Sequence, residues 1–326
     1  MPNVKKRRAG NFLRQALSVL VSAALLAYVL SQADFGELLG TLRAVSPGLL
    51  CLSAALLVVV DLFMAMKCWV LKRSMPVIGT VMSYFKLRFF ALLPGGNVTG
   101  EAARLMALRD MTDGYEAATL MIIDKQTQMI PQQALCLIGL GFASVPVHWV
   151  FFFLSGFTLA WALLAPGTLL FSPVRRLALR LGRWVGRFGW GHVVAEEIER
   201  LCGACAELSA HPGTVASHLL LGLGGDLLNI AAQMLIAYAL GFSISPIDWL
   251  WLNGIVNIAM CLPFSVGGIG LREGAMVTML GLFGVDASIA MLLPLTISAL
   301  TLIKGIGEGI VQMAVGRQKK KIVTKP

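Results

Sequence analysis

Two short stretches combine residues able to bind an anion with residues that interrupt a helix. Residues 92–104 read LLPGGNVTGEAAR and residues 262–273 read LPFSVGGIGLRE. Each has a Leu-Pro pair, a Gly-Gly pair, a further glycine and an arginine close to a glutamate. Glycine lets the backbone turn freely and approach a ligand closely. A helix that restarts after such a break points its unpaired N–H groups and the positive end of its dipole at the break. An arginine on that helix adds a planar fork suited to phosphate. Gly95, Gly96, Asn97, Gly100, Glu101 and Arg104 are thus candidates for one half of an anion site, and Gly267, Gly268, Gly270, Arg272 and Glu273 for the other. Plainer roles fit the same residues. Glu101–Arg104 and Arg272–Glu273 can pair at a hairpin tip or at headgroup level, and the glycine pairs can serve tight helix packing.

The elements that must position these residues are apolar. Of 326 residues, 57% are hydrophobic and 13% charged, with a mean hydropathy of +0.78. A soluble domain has about a quarter charged residues, so the chain is expected to be an all-α polytopic membrane protein. Apolar runs of spanning length lie at 12–31, 47–70, 117–141, 148–171, 215–241 and 286–313. Two further segments, 81–110 and 249–283, are broken at the glycine-rich stretches into halves too short to cross a core of about 30 Å at 1.5 Å per residue.

Loop charge gives the orientation. Lys5, Lys6, Arg7, Arg8 and Arg14 place the N-terminus in the cytoplasm, and the 12–31 run is read as an uncleaved first span. Lys72, Arg73, Lys86 and Arg88, the arginines of 173–210 and the basic tail 317–326 also belong inside. That map requires both broken segments to double back, from opposite leaflets, with both termini in the cytoplasm. GYEAATLM at 114–121 and GVDASIAM at 284–291 align at an offset of 170, which also superposes 47–70 on 215–241. The expected fold is therefore six full transmembrane helices and two re-entrant hairpins in an inverted-topology repeat. Residues 1–172 hold the first repeat and the span that begins the second; 173–210 connect; 211–316 complete the second repeat.

Within the connector, Arg176, Arg180, Arg183 and Arg187 recur at helical spacing with apolar residues between them. This suits a basic amphipathic helix on an anionic inner leaflet, or an ordinary cytoplasmic connector. Asp61, Lys67, Asp124, Lys125, Asp226, Lys304 and Glu308 fall within apolar runs, where ionisable groups usually face an interior or a water path. Lys67 and Lys125 lie near predicted helix ends and can snorkel. Lys304 and Glu308 have ion-pair spacing, and Asp61, Asp124, Asp226, Lys304 and Glu308 are candidates for proton coupling or for the pocket wall.

Other chemistries lack their residues. The histidines (148, 192, 211, 218) form no metal-ligand pattern, no P-loop or nucleophile-elbow sequence occurs, and the lone CxxC at 202–205 has no second pair. No cofactor, metal or catalytic step is expected. The formal charge of +10 sits in loops beside the membrane, which excludes a nucleic-acid face.

LPGGNVTGEAARLMALRD resembles the PGxxGExxRxxLL segment of the lysylphosphatidylglycerol synthase transmembrane region, a flippase-like family, and LPFSVGGIGLREGAMVTMLGLFGV is similar to its second hallmark, P-x-GGxGxRE…LG. The resemblance runs to about residue 313. It implies transfer of a lipid between leaflets, with Pro94, Gly95, Gly96, Gly100, Glu101, Arg104, Pro263, Gly267, Gly268, Gly270, Arg272 and Glu273 at the matching positions. The soluble aminoacyl-transfer domain of bifunctional members is expected to be missing, and Asn97-Val98-Thr99 leaves the headgroup open. The expected substrate is an anionic, phosphate-containing lipid: an aminoacyl-phospholipid, a glycolipid or a polyprenyl-phosphate-linked lipid. Two other readings stay open: a carrier of a small anion, and a non-transporting subunit that docks a lipid-biosynthetic enzyme through residues 173–210.

Overall fold

The computed structural model describes residues 45–92, 96–170, 172–187, 191–192, 195–196, 198–200, 202–203, 211–260 and 271–323. All regular structure among them is helical. In chain order the helices are α1 (Pro47–Leu71), α2 (Val77–Ala91), α3 (Asn97–Arg109), α4 (Gly114–Gly141), α5 (Trp149–Leu170), α6 (Ser172–Val185), α7 (Pro212–Ala239), α8 (Pro246–Met260), α9 (Leu271–Gly281) and α10 (Ala287–Val323). The expected 12–31 span, Pro94, Gly95, Pro263, Gly267, Gly268 and Gly270 lie outside the described residues, as does the side chain of Asn97.

Local sequence explains the boundaries. Pro47 and Pro212 open α1 and α7 at a position where no backbone donor is needed. Asp113 caps α4 by accepting the Glu116 N–H at 2.7 Å, and Asp286 accepts the Ser288 N–H at 2.8 Å at the head of α10. α10 continues to Val323, into the expected basic tail, because Gln318 and the following lysines are good helix formers and no glycine or proline stops them. α6 stops at Val185, ahead of Gly186, so Arg176, Arg180 and Arg183 are helical while Arg187 lies in the following turn.

By length and composition, α1, α7 and residues 287–314 of α10 are able to cross a membrane. α4 is as long as α7 but carries Glu116, Asp124 and Lys125. α5 is apolar throughout and exposes Phe153, Phe157 and Trp161. The two broken segments are each a pair of short helices, α2–α3 and α8–α9, whose members pack on one another.

The packing repeats. α1–α4 and α7–α10 follow the same order: a long helix, a 15-residue helix, a short helix and a long helix. α1 lies along α7, the equivalent helix of the other set. α4 packs on α8, and its counterpart α10 packs on α2. Gly139 and Gly309, which share the 170-residue offset, sit at these two crossings: a Cβ would lie 2.7 Å from the Trp251 nitrogen in the first and 2.3 Å from the Phe89 ring in the second. Side-chain-free surfaces let helices in a membrane approach this closely. Two apolar clusters result, one around Trp249, Trp251 and Leu252, the other around Cys68, Leu108 and Leu120.

Candidate functional site: a buried ionic seam

The first interruption is built by glycines with separate tasks. Gly96 stands at the head of α3 with φ 54° and ψ −130°, a conformation that disfavours any residue with a Cβ. One turn on, Gly100 faces α2: a Cβ there would stand 2.5 Å from the Leu87 carbonyl oxygen and 3.0 Å from the Ala91 Cβ. Gly100 thus closes the α2–α3 pair, a packing role that the sequence reading offers to the glycine pairs and not to Gly100. α3 is thereby pressed against α2 with Arg104 turned inward.

Arg104 is 2% exposed and meets α4, not open space. Its Nη2 donates to Asp124 Oδ2 at 2.7 Å, and its guanidinium carbon lies 4.0 Å from the centre of the Tyr84 ring. The Tyr84 hydroxyl donates to the same Asp124 oxygen at 2.6 Å. Lys67 Nζ reaches the other carboxylate oxygen at 3.2 Å, and donates to the Asp124 carbonyl at 2.9 Å and to Gln128 Oε1 at 2.6 Å. Gln128 Nε2 then donates to Asp226 Oδ1 at 2.8 Å. The His218 ring bridges the Lys67 carbonyl (Nδ1, 2.9 Å) and the Thr127 hydroxyl (Nε2, 2.5 Å). Because a carbonyl only accepts, Nδ1 carries a proton; the Thr127 hydroxyl donates to the Ile123 carbonyl at 2.7 Å.

Lys67 is therefore fully interior, against the snorkelling reading, while Lys125 is 69% exposed and bonds Glu101 at 2.7 Å. Lys67 is buried because α7 lies against α1.

A second cluster adjoins the first across one turn of α2. Arg88, four residues after Tyr84, donates from Nε to Asp61 Oδ1 at 2.8 Å. Asp61 also receives Lys304 Nζ, which reaches the Leu57 carbonyl at 3.4 Å. Glu308 lies 3.9 Å from Lys304, so the pair expected from its spacing exists, yet the dominant partner of Lys304 is Asp61 on another helix. Arg272, half-buried at the head of α9, lies within electrostatic reach of Arg88 and Glu273, and Glu273 is buried. Arg272 thus lies within the electrostatic influence of Arg88, a member of the second cluster. Gln233, near Asp226 on α7, donates to Asn253 at 3.1 Å.

The seam is balanced: Lys67, Arg88, Arg104, Arg272 and Lys304 are set among Asp61, Asp124, Asp226, Glu273 and Glu308. Sequence alone suggested a positively biased pocket; besides the local partners Glu273 and Glu308, tertiary packing supplies Asp61, Asp124 and Asp226 from α1, α4 and α7. The balance follows from cost, since a buried ion without a partner costs several kcal/mol. Some capacity remains unused. Arg104 Nε has no hydrogen-bond partner, Arg104 Nη1 is 3.8 Å from Glu101, and Asp226 Oδ2 and both Glu308 carboxylate oxygens accept no hydrogen bond. No group of metal ligands occurs among the described residues.

Tyr84, Thr127 and Gln128 are members that the sequence reading does not name; Arg88, read there only as a cytoplasmic charge, and His218, read only as lacking a metal pattern, are members too. Each is unremarkable in its own helix and gains meaning only from the helix opposite.

Short paired helices, long apolar helices and a buried ionic seam between them define an integral, polytopic helical membrane protein. The family model for the lysylphosphatidylglycerol synthase TM region matches residues 15–306, and the chain belongs to that family. No curated protein and no solved structure matches the chain.

Proposed function

We propose that the protein is a flippase-like transporter that moves an anionic, phosphate-bearing lipid between leaflets. The observation that carries this reading is Arg104. It is held inside the bundle on the helix that follows the Gly96 break, with one donor on Asp124 and Nε still unpaired. A phosphate oxygen can take the unused donors and displace Asp124, which keeps Tyr84 and Lys67 as partners. Substrate and carboxylate then exchange as counter-ions, so no state leaves a bare charge in the bilayer.

The repeated packing of α1–α4 and α7–α10 supports two inverted repeats, with α2–α3 and α8–α9 as re-entrant hairpins from opposite leaflets and both termini in the cytoplasm. Rocking of one repeat against the other would present the seam to each leaflet in turn. Arg272 and Arg88 form the second station for the headgroup, and Asp226 and Glu308, with their unfilled oxygens, are the groups placed to carry a coupled proton. The lipid leaves chemically unchanged, and a lipid-biosynthetic enzyme is the partner that would supply it. α6 exposes Arg176, Arg180 and Arg183 alongside Leu177, Leu181 and Trp184, which suits the surface of an anionic leaflet.

Mass spectrometry of lipid co-purified with gently extracted protein tests the reading. One phosphate-bearing lipid should be enriched with the wild type, and its amount per protein should fall in Arg104→Gln. Identical bulk lipid in both would remove it.

A further inference from the structure

We propose that the protein has a second, separate headgroup site: a surface cavity where an anionic phosphate group docks before it reaches the seam. The cavity has a volume of about 510 Å³ and lies where α1 ends and α4 and α7 begin. That volume is within the range of small-ligand sites, roughly 300–1,000 Å³. Its polar lining comes from Lys72, Arg73 and Ser74 after α1, Glu116 and Thr119 on α4, and His211 ahead of α7. Val70, Leu71 and Leu120 supply an apolar wall. Lys72 is bound by Glu116 across the cavity. Arg73 is exposed and has no carboxylate partner among the described residues, so its fork is available to an incoming phosphate. The polar mouth and apolar wall together match the boundary between a phosphate headgroup and its glycerol and acyl region.

Position links the cavity to the seam. On each of the three helices, a seam residue sits at most one turn below a lining residue. Lys67 precedes Val70 and Leu71 on α1, Asp124 and Thr127 follow Ile123 on α4, and His218 follows Thr214 on α7. The floor of the cavity is therefore the roof of the Lys67–Asp124–His218 network. By loop charge this is the cytoplasmic face, so the cavity is the station from which cytoplasmic-leaflet lipid is drawn. That role rests on the transport reading; the binding itself does not.

Native mass spectrometry of the full chain in detergent micelles tests the site, with phosphatidylglycerol as probe and phosphatidylcholine as the neutral comparison. Arg73→Gln removes the free fork, and Ser74→Trp fills the mouth at an exposed position where folding tolerates it. Arg109→Gln removes an exposed cation that does not line the cavity. Affinity for phosphatidylglycerol should fall about tenfold in the first two variants and stay unchanged in the third. Inorganic phosphate is titrated in parallel: if it occupies the site and the lipid does not, the site stands but serves a soluble phosphate compound. Wild-type phosphatidylglycerol binding in both Arg73→Gln and Ser74→Trp overturns the proposal. Arg104→Gln separates the two claims, because it should abolish transport while leaving cavity binding intact. Transport that survives Arg104→Gln refutes the seam as the path without touching the cavity.

Discussion

Asp124→Asn is the substitution with the sharpest consequence. Asp124 is 3% exposed and is the counter-ion of two buried cations, Lys67 and Arg104, each 2% exposed. Asparagine retains an acceptor for the Tyr84 hydroxyl and Arg104 Nη2 but removes the charge. Breaking a buried pair by deleting one partner costs about 3–5 kcal/mol. Lys67 still has Gln128 and a carbonyl, and Arg104 still has the Tyr84 ring, so the lower end applies. A loss of about 3 kcal/mol shifts the folding equilibrium more than a hundredfold. Reversible unfolding in mixed micelles, titrated with sodium dodecyl sulfate, reads this directly. Adding Lys67→Met removes one orphaned cation, so the double variant should be less destabilised than the sum of the singles by about 1–3 kcal/mol. A loss under about 1 kcal/mol in Asp124→Asn, or strictly additive losses, would refute the view that these charges are buried partners.

Further outcomes follow from other parts of the fold. Gly100→Val places a side chain on the Leu87 carbonyl and should cost more than about 2 kcal/mol in the same titration, whereas Gly141→Ala, with nothing within 4 Å of the added Cβ, should leave stability unchanged or slightly raised. Gly309→Leu drives a side chain into the Phe89 ring and should destabilise by a similar amount; Gly139→Leu at the equivalent crossing should match it within about 1 kcal/mol if the two sets of helices are equivalent. In a background without native cysteines, Ser74→Cys should react with an impermeant maleimide only from the cytoplasmic side, and Ser243→Cys, between α7 and α8, only from the outside. Labelling of both from one side contradicts the assigned orientation.

Element positions were legible because membrane crossing leaves a one-dimensional record. Long apolar runs anticipated α1, α4, α5, α7 and most of α10, and proline and glycine marked both broken segments. The glycine pattern and Arg104 were legible for the same reason: a break followed by a charge is visible within one helix. The partners of that charge were not. Arg104 meets Asp124 across 20 residues, Lys67 meets Gln128 across 61, and Lys304 meets Asp61 across 243. Hydrophobic periodicity reports which face of a helix is buried and is silent on which helix covers it. Lys67 shows the result: near a predicted end it reads as a snorkelling lysine, and only the packing of α7 on α1 places it in the interior. The seam's neutrality has the same origin, since its carboxylates arrive from helices far apart in the chain.

The central claim is lipid movement through the seam, and a dithionite-quenching assay in proteoliposomes tests it most directly. Vesicles carry a fluorescent phosphatidylglycerol labelled on one acyl chain, and the readout is the fraction that moves between leaflets over time. Wild-type protein should make lipid from the inner leaflet reachable, and Arg104→Gln, shown to be folded in the same vesicles, should slow that movement at least tenfold. Equal rates in wild type, Arg104→Gln and protein-free vesicles would contradict the account.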